Sequence, residues 1–366
     1  MRSLIRELIR RPRANAPSYR LPLLASAVVS LLSGCGEDSG SGPTDNGPID
    51  IEPPTADYRM VELPGGTQGV AHDINDQGQI VGQDNGLGVI PCAASTTESC
   101  AHAVLWTVNE EGQVIDTKDL GAVGGDESFS LASGINNLGQ VVGWTFFGVN
   151  SNFTRPFVWT ADSGMELLDL PMGGFNGDAQ AINDDGQVVG VDGNLDCGSA
   201  VVWNVALDGT VSDPQDIGTL GGEFACPSAI NRPGNFVGRV FQDAQTSDGF
   251  LWAAGNVVTI PDASEVNDSN DEDELVGRTK SDEPFLWRAE TGVQLLADGG
   301  RAWDINNRGQ VVGTSGSRAV IWQDGEMQVL PAPALGFIAR AINDEGMIVG
   351  SSGSVEPRTA ILWVPN

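Results

Sequence analysis

Only two histidines, His72 and His102, occur in 366 residues. That leaves little from which to build a zinc site or a histidine-based catalytic triad. Two other groupings could do chemistry. His72, Trp303 and Arg340 each stand two positions before the isoleucine of a recurring Ile-Asn pair, and Asp73 and Asp304 stand one position before it. An aromatic ring, a cation and carboxylates brought into one concavity would make a ligand site. Carboxylates held about 5 to 9 Å apart could instead cleave glycosidic bonds. With 49 Asp and Glu in the chain, such pairs are easily imagined and carry little weight by themselves. The acidic run at Asp268, Asp271 and Asp273 offers oxygen ligands to calcium, although its spacing departs from the helix-loop-helix calcium loop. No other cofactor is expected.

What would position these residues is a repeat. An Ile-Asn-x-x-Gly phrase recurs at Ile74-Asn75, Ile135-Asn136, Ile182-Asn183, Ile230-Asn231, Ile305-Asn306 and Ile342-Asn343, and Val266-Asn267 reads as a worn seventh copy. In Ala179-Gln-Ala-Ile-Asn-Asp-Asp-Gly-Gln-Val-Val-Gly190 the Asn-Asp-Asp-Gly segment makes a turn between two short apolar runs. Asn and Asp form turns through their own side chains, and Gly supplies the positive φ. A third run ends in a tryptophan in every copy: Trp106, Trp159, Trp203, Trp252, Trp287, Trp322 and Trp363. One ring per repeat at one strand position is what packing between repeats requires. A fourth run follows in every copy except the last, after which the chain stops. Its counterpart, Tyr58-Arg-Met-Val-Glu-Leu-Pro64, precedes the first copy and matches Met327-Gln-Val-Leu-Pro331. An N-terminal strand completing the last unit predicts a closed ring, which protects its strand edges. The expected fold is all-β, a seven-bladed β-propeller of four-stranded blades over residues 57–366. Seven copies place the variable column before Ile at His72, Ser133, Gln180, Ser228, Ser264, Trp303 and Arg340, with Asp73, Gly134, Ala181, Ala229, Glu265, Asp304 and Ala341 beside it. Ring closure makes copies six, seven and one neighbours, which would bring Trp303, Arg340 and His72 together with Asp304 and Asp73 alongside. In the fifth copy the turn lacks its glycine and reads as longer and strongly acidic.

The first 20 residues carry six arginines and one acid, and Leu21 to Leu32 is largely apolar. That core is too short to span a bilayer as a helix. With its exit at Leu32-Ser33-Gly34-Cys35, it resembles a bacterial lipoprotein signal. The resemblance implies removal of residues 1–34 and lipid attachment at Cys35. Gly36 after the cysteine leans towards the outer membrane, by the same resemblance. Residues 35–56 are rich in Gly, Ser, Asp and Pro and read as a flexible tether. Four cysteines remain beyond it: Cys92, Cys100, Cys197 and Cys226. They allow three pairings. Cys92 with Cys100 would close an inserted loop, and Cys197 with Cys226 would tie neighbouring repeats.

Asp216-Ile-Gly-Thr-Leu-Gly-Gly222, Ala181-Ile-Asn-Asp-Asp-Gly-Gln-Val-Val-Gly190 and Gly249-Phe-Leu-Trp252 resemble the HAF-type extracellular repeat of bacteria, over residues 58–363. The resemblance implies secretion and repeats, and no reaction. The His-Ala-Phe phrase is worn to Ala101-His102-Ala103-Val104. A net charge of -30 excludes a general nucleic-acid binder, which needs a basic face. The expected function is a noncatalytic module in the bacterial cell envelope that binds an extracellular protein or glycan. It would be held to the membrane by lipid and be monomeric. The alternative is an extracellular carbohydrate-active hydrolase or lyase using channel carboxylates.

Overall fold

A computed structural model describes residues 55–86, 101–123, 128–146, 153–174, 176–194, 197–243, 245–353 and 357–366. Cys35, Cys92, Cys100 and nearly all of the segment read as a tether lie outside the described residues. Pro53–Asn366 forms one compact unit.

The fold is all-β: seven antiparallel four-stranded blades arranged as a propeller. Their innermost strands are Val70–Ile74, Ser130–Ile135, Gly177–Ile182, Phe224–Ile230, Ala263–Ser269, Arg301–Ile305 and Ile338–Ile342. The seventh blade draws three strands from the C-terminus and its outermost, Tyr58–Glu62, from the start of the described chain. That strand pairs antiparallel with Ala360–Pro365 from Tyr58↔Pro365 to Glu62↔Ile361. The expected strand latch therefore forms. Blades three and four are joined further by a ladder pair at Gly198↔Ala225. Beside it the Cys197–Cys226 disulfide crosses between them, closing a separation of 29 residues. Such a bridge stabilises by about 3–4 kcal/mol, chiefly by constraining the unfolded chain.

The core is divided. Seven buried apolar clusters each fill an interface between neighbouring blades. The motif tryptophans sit in these interfaces, with Trp106, Trp203 and Trp363 wholly buried. Four of their indole N–H groups donate to the end of the preceding blade: Trp106 to Pro64 O, Trp203 to Asp169 O, Trp322 to Leu296 O and Trp363 to Pro331 O. Trp252 instead stacks on Phe236 at 4.7 Å between centroids. The glycine closing the apolar run of each blade's second strand has a packing cause. A Cβ at Gly82 or Gly313 would collide with the carbonyl oxygen of Val70 or Arg301 on the innermost strand.

Each hairpin turn is held by its asparagine. In blade one, Asn75 Oδ1 accepts from the N–H groups of Gln77 and Gln79, and Gly78 takes φ +70°. The same side chain also reaches the next blade. Asn75 Nδ2 donates to Asn136 O, Asn136 to Asn183 O, Asn183 to Asn231 O, Asn231 to Asn270 O, Asn270 to Asn306 O and Asn306 to Asn343 O. Asn343 returns to Asn75 O at 3.0 Å, so the ring of seven bonds is closed.

This ring corrects the fifth copy. Its turn asparagine is Asn270, not Asn267, and Ser269 stands where the other blades have Ile. The turn is no longer than the rest. Asp273 takes the glycine position at φ +57°, and Asn270 N still bonds Glu274 O at 3.2 Å. The apolar pattern concealed this because Val266 imitates Ile three positions too early.

Asn306→Ala would remove the bond to Asn343 O and the acceptor for Arg308 and Gln310 N–H, leaving buried groups unpaired. Urea denaturation should show a loss of about 2–4 kcal/mol. A loss below about 0.5 kcal/mol would show that the ring contributes little.

Candidate functional site

The innermost strands surround the propeller axis, and each carries a β-bulge at the same place. Pairing skips between Ala71 and Asp73, Val266 and Asp268, Ala302 and Asp304, and Ala339 and Ala341, with matching skips in the other blades. A bulged residue has no ladder partner, and its side chain is re-aimed. The residues bulged at this place are His72, Ser133, Gln180, Ser228, Asn267, Trp303 and Arg340, and the fifth blade has a second skip at Ser264. This is the variable column, with Asn267 and Asp268 replacing Ser264 and Glu265 in the fifth blade.

One residue along, the corrected column reads Asp73, Gly134, Ala181, Ala229, Asp268, Asp304 and Ala341. Three carboxylates thus meet at one level. Asp73 accepts from Ile74 N at 2.8 Å and from Ile135 N of the next blade at 2.8 Å. Asp304 accepts from Ile305 N at 2.8 Å and Ile342 N at 2.6 Å, and Asp268 accepts from Ile305 N at 3.0 Å. Each braces the neighbouring blade's backbone. Asp73 and Asp304 keep part of their surface open to the channel, yet the surrounding strands enclose them. Burial raises Asp73 to about 7, opposed by its two N–H bonds and assisted by the Asp268 charge. Burial likewise holds Asp304 well above the usual carboxylate range, reinforced first by Asp268 and then by Asp73.

At the hairpin end, the asparagine ring and the residues after it surround a mouth of about 180 Å³. Its rim carries Asp76, Asn137, Asp184, Arg232, Asp271, Asn307 and Asp344. The opposite end is basic. Glu265, whose side chain is 6% exposed, receives Arg239 at 3.2 Å, Arg278 at 3.3 Å and Arg301. Arg301 lies over the Trp303 ring at 4.1 Å, and Arg340 lies 5.5 Å from the same ring. Burial pulls Arg340 down to about 10, with repulsion from Arg358 and then Arg301 adding to it. Burial, Arg340 and Arg358 hold His72 near 3, so its imidazole is neutral at pH 7. The structure therefore brings Trp303, Arg340 and His72 together with Arg301 and Arg358. Asp73 and Asp304 lie one residue along, engaged with backbone. The repeat columns omitted Arg301 and Arg358, because neither stands in the bulge column.

The three residues offered for calcium are engaged separately. Asp268 holds Ile305 N, Asp271 holds Arg232 N and Asp273 holds the Asn231 and Asn235 amides. Among the described residues, no three His, Cys, Asp or Glu are gathered to hold a metal. His102 is buried in blade one with Nδ1 3.0 Å from both carboxylate oxygens of Asp119. A cleft of about 560 Å³ opens between blades five and six on the hairpin face, crossed by the Arg288–Glu274 ion pair.

Asp73 and Asp304 bind protons more tightly folded than unfolded. Their ionisation therefore costs stability, which is greatest below about pH 4; the share from Asp73 is lost as pH rises through about 7, and that from Asp304 is lost above the usual carboxylate range. Thermal melts should show a lower melting temperature at about pH 8 than at about pH 5.5. Asp304→Asn should flatten that slope; an unchanged slope in both Asp304→Asn and Asp73→Asn would show that neither carboxylate causes it.

No family model matches the sequence. No curated protein matches it. Solved structures do. A streptogramin B lyase aligns at a TM-score of 0.54 and 10% identity, over 84% of this chain and 98% of that one. Virginiamycin B lyase from Staphylococcus aureus aligns at 0.53 and 11%, over 84% and 98%. U3-55K aligns at 0.53 and 16%, over 86% and 100%. At such identities the likeness is one of fold, which hosts unrelated functions. The chain is a β-propeller related in architecture to these proteins, and its chemistry has to be read from its own residues.

Proposed function

We propose that this chain is a noncatalytic binding propeller of the bacterial cell envelope. Its basic channel end, built around Trp303 and Arg340, would take an extracellular protein or glycan. The observation that carries this reading is the unsatisfied pair of donors there. Nε of Arg340 and Nε1 of Trp303 are buried and lack a hydrogen-bond partner among the described residues. Buried polar groups are ordinarily bonded, and an unbonded pair at a channel end suits a site completed by ligand. The bulge supports it further, because re-aimed side chains beside a strand break recur at functional sites.

The enzymatic reading rests on the raised proton affinities of Asp73 and Asp304. Perturbed carboxyls mark catalytic sites but also structural ones. Here both oxygens of each already accept backbone N–H groups. That arrangement favours a brace over a general acid.

The envelope location rests on the lipoprotein-like exit at Cys35 and on the resemblance to HAF-type repeats. Among the described residues, no helix is long and apolar enough to cross a membrane.

Two measurements test this. Glycan and envelope-protein arrays probed with the exported domain should yield a ligand whose binding falls on Trp303→Ala and Arg340→Ala, while the melting temperature stays within a few degrees. Ligands bound equally by both variants would move the site elsewhere. In a bacterial host, Cys35→Ser should shift the protein from the membrane fraction to the soluble fraction. Retention in the membrane would remove the anchor from the proposal.

A further inference from the structure

The proposed binding site has a chemical bias that goes beyond binding as such. Of the 19 Lys and Arg in the chain, six precede residue 21. Five of those remaining, Arg239, Arg278, Arg301, Arg340 and Arg358, belong to one connected basic group at the same channel end. Arg239, Arg278 and Arg301 converge on Glu265. Arg301 continues the group through Trp303 to Arg340, and Arg340 and Arg358 repel each other. Among the described residues, Glu265 pairs with Arg239, Arg278 and Arg301, and Asp282 pairs with Arg278 at 2.7 Å. Among the described residues, no carboxylate forms an ion pair with Arg340.

This is costly in a chain whose net charge is -30 and which has Asp and Glu in excess. Like charges held together in a partly dry site destabilise the fold unless an opposite charge joins them. The bulge makes Arg340 free of any ladder constraint on its side chain, so packing of the blade does not demand an arginine there. Ser133, Gln180, Ser228 and Asn267 fill the same position in other blades.

We propose that Arg340, with Arg301, Arg358 and Trp303 around it, forms an oxyanion-binding site, taking a carboxylate, sulfate or phosphate group of the ligand. A guanidinium presents N–H donors in a planar fork that fits two oxygens of such a group. Trp303 holds Arg301 and Arg340 by their faces and adds an indole N–H donor. The acidic remainder of the surface repels anions, so the basic end is the place where one gains by binding. This assignment rests on the reading of that end as the binding site, and it adds the charge of the group bound.

The test is calorimetry and thermal melting of the exported domain at fixed low ionic strength. The probes are sodium sulfate, inorganic phosphate and sodium galacturonate, with galactose as the uncharged control. At least one oxyanion should bind and raise the melting temperature, and galactose should not. The sulfate, phosphate and galacturonate arms separate an inorganic-type group from a sugar carboxylate. Arg340→Gln should weaken that binding roughly tenfold to hundredfold, and Arg340→Lys should recover part of it. Without anion, Arg340→Gln should melt at the same or a higher temperature, because a repelling charge has gone. A purely structural arginine would do the reverse, and a lower melting temperature for Arg340→Gln without anion would overturn the proposal. So would equal oxyanion binding by the wild type and Arg340→Gln. Failure of every oxyanion to bind, with an uncharged ligand still lost on Trp303→Ala, would overturn the oxyanion site and leave the binding reading standing.

Discussion

The closed circle of asparagine amides is the constraint on which the rest depends. Each side chain serves twice: its oxygen folds its own hairpin, and its nitrogen fixes the neighbouring blade at the carbonyl of the next asparagine. Every link in the ring has the same form and joins the same position of neighbouring blades. Equivalent positions on different blades are thereby brought to one level. The bulged side chains and the carboxylates that brace the blades face one another for that reason. Buried amide bonds of this kind contribute modestly one by one, but leaving any of them unmade is expensive.

Much of this could be read from residue order. The phrase around Asn183 repeats, the missing last strand reappears at Tyr58, and the pairing of Cys197 with Cys226 lies between neighbouring copies. The tryptophans are interface packing, as one ring per copy suggests. The asparagine was legible only as a turn former, because its second bond joins residues from 36 to 268 positions apart and leaves no local trace. The fifth copy misled for a different reason. Periodicity counts apolar residues, and Ser269 replaces Ile while Val266 supplies a false match. Shifting that register exchanged Glu265 for Asp268 at the brace level and released Glu265 to the arginines. The nearness of Trp303, Arg340 and His72 followed from ring closure alone. Arg301 and Arg358 did not, since they approach Arg340 from outside the repeated column.

The axial passage is polarised. One end is rimmed by Asp76, Asp184, Asp271 and Asp344 with Arg232. The other holds five arginines around Glu265 and Trp303. Between them lie the protonatable carboxyls of Asp73 and Asp304. Protonation lets carboxyls sit at an enclosed level without adding negative charge beneath the cations. Their oxygens remain occupied by backbone N–H groups, so the middle of the passage is a structural girdle and its two ends differ in what they attract.

The strand latch has a consequence for how the molecule is made. Tyr58–Glu62 can find its place only after Ala360–Pro365 exists, and the Asn366 to Asp57 bond spans 309 positions. Six blades can assemble from contacts close in sequence as the chain emerges, whereas the seventh waits for both termini. Loop-closure entropy grows only slowly with length, so the delay is one of order rather than of prohibitive cost. Until that meeting, the last hairpin offers an open strand edge to any other extended chain. Biogenesis of this propeller therefore has a defined final step, and the unfinished ring is its vulnerable intermediate.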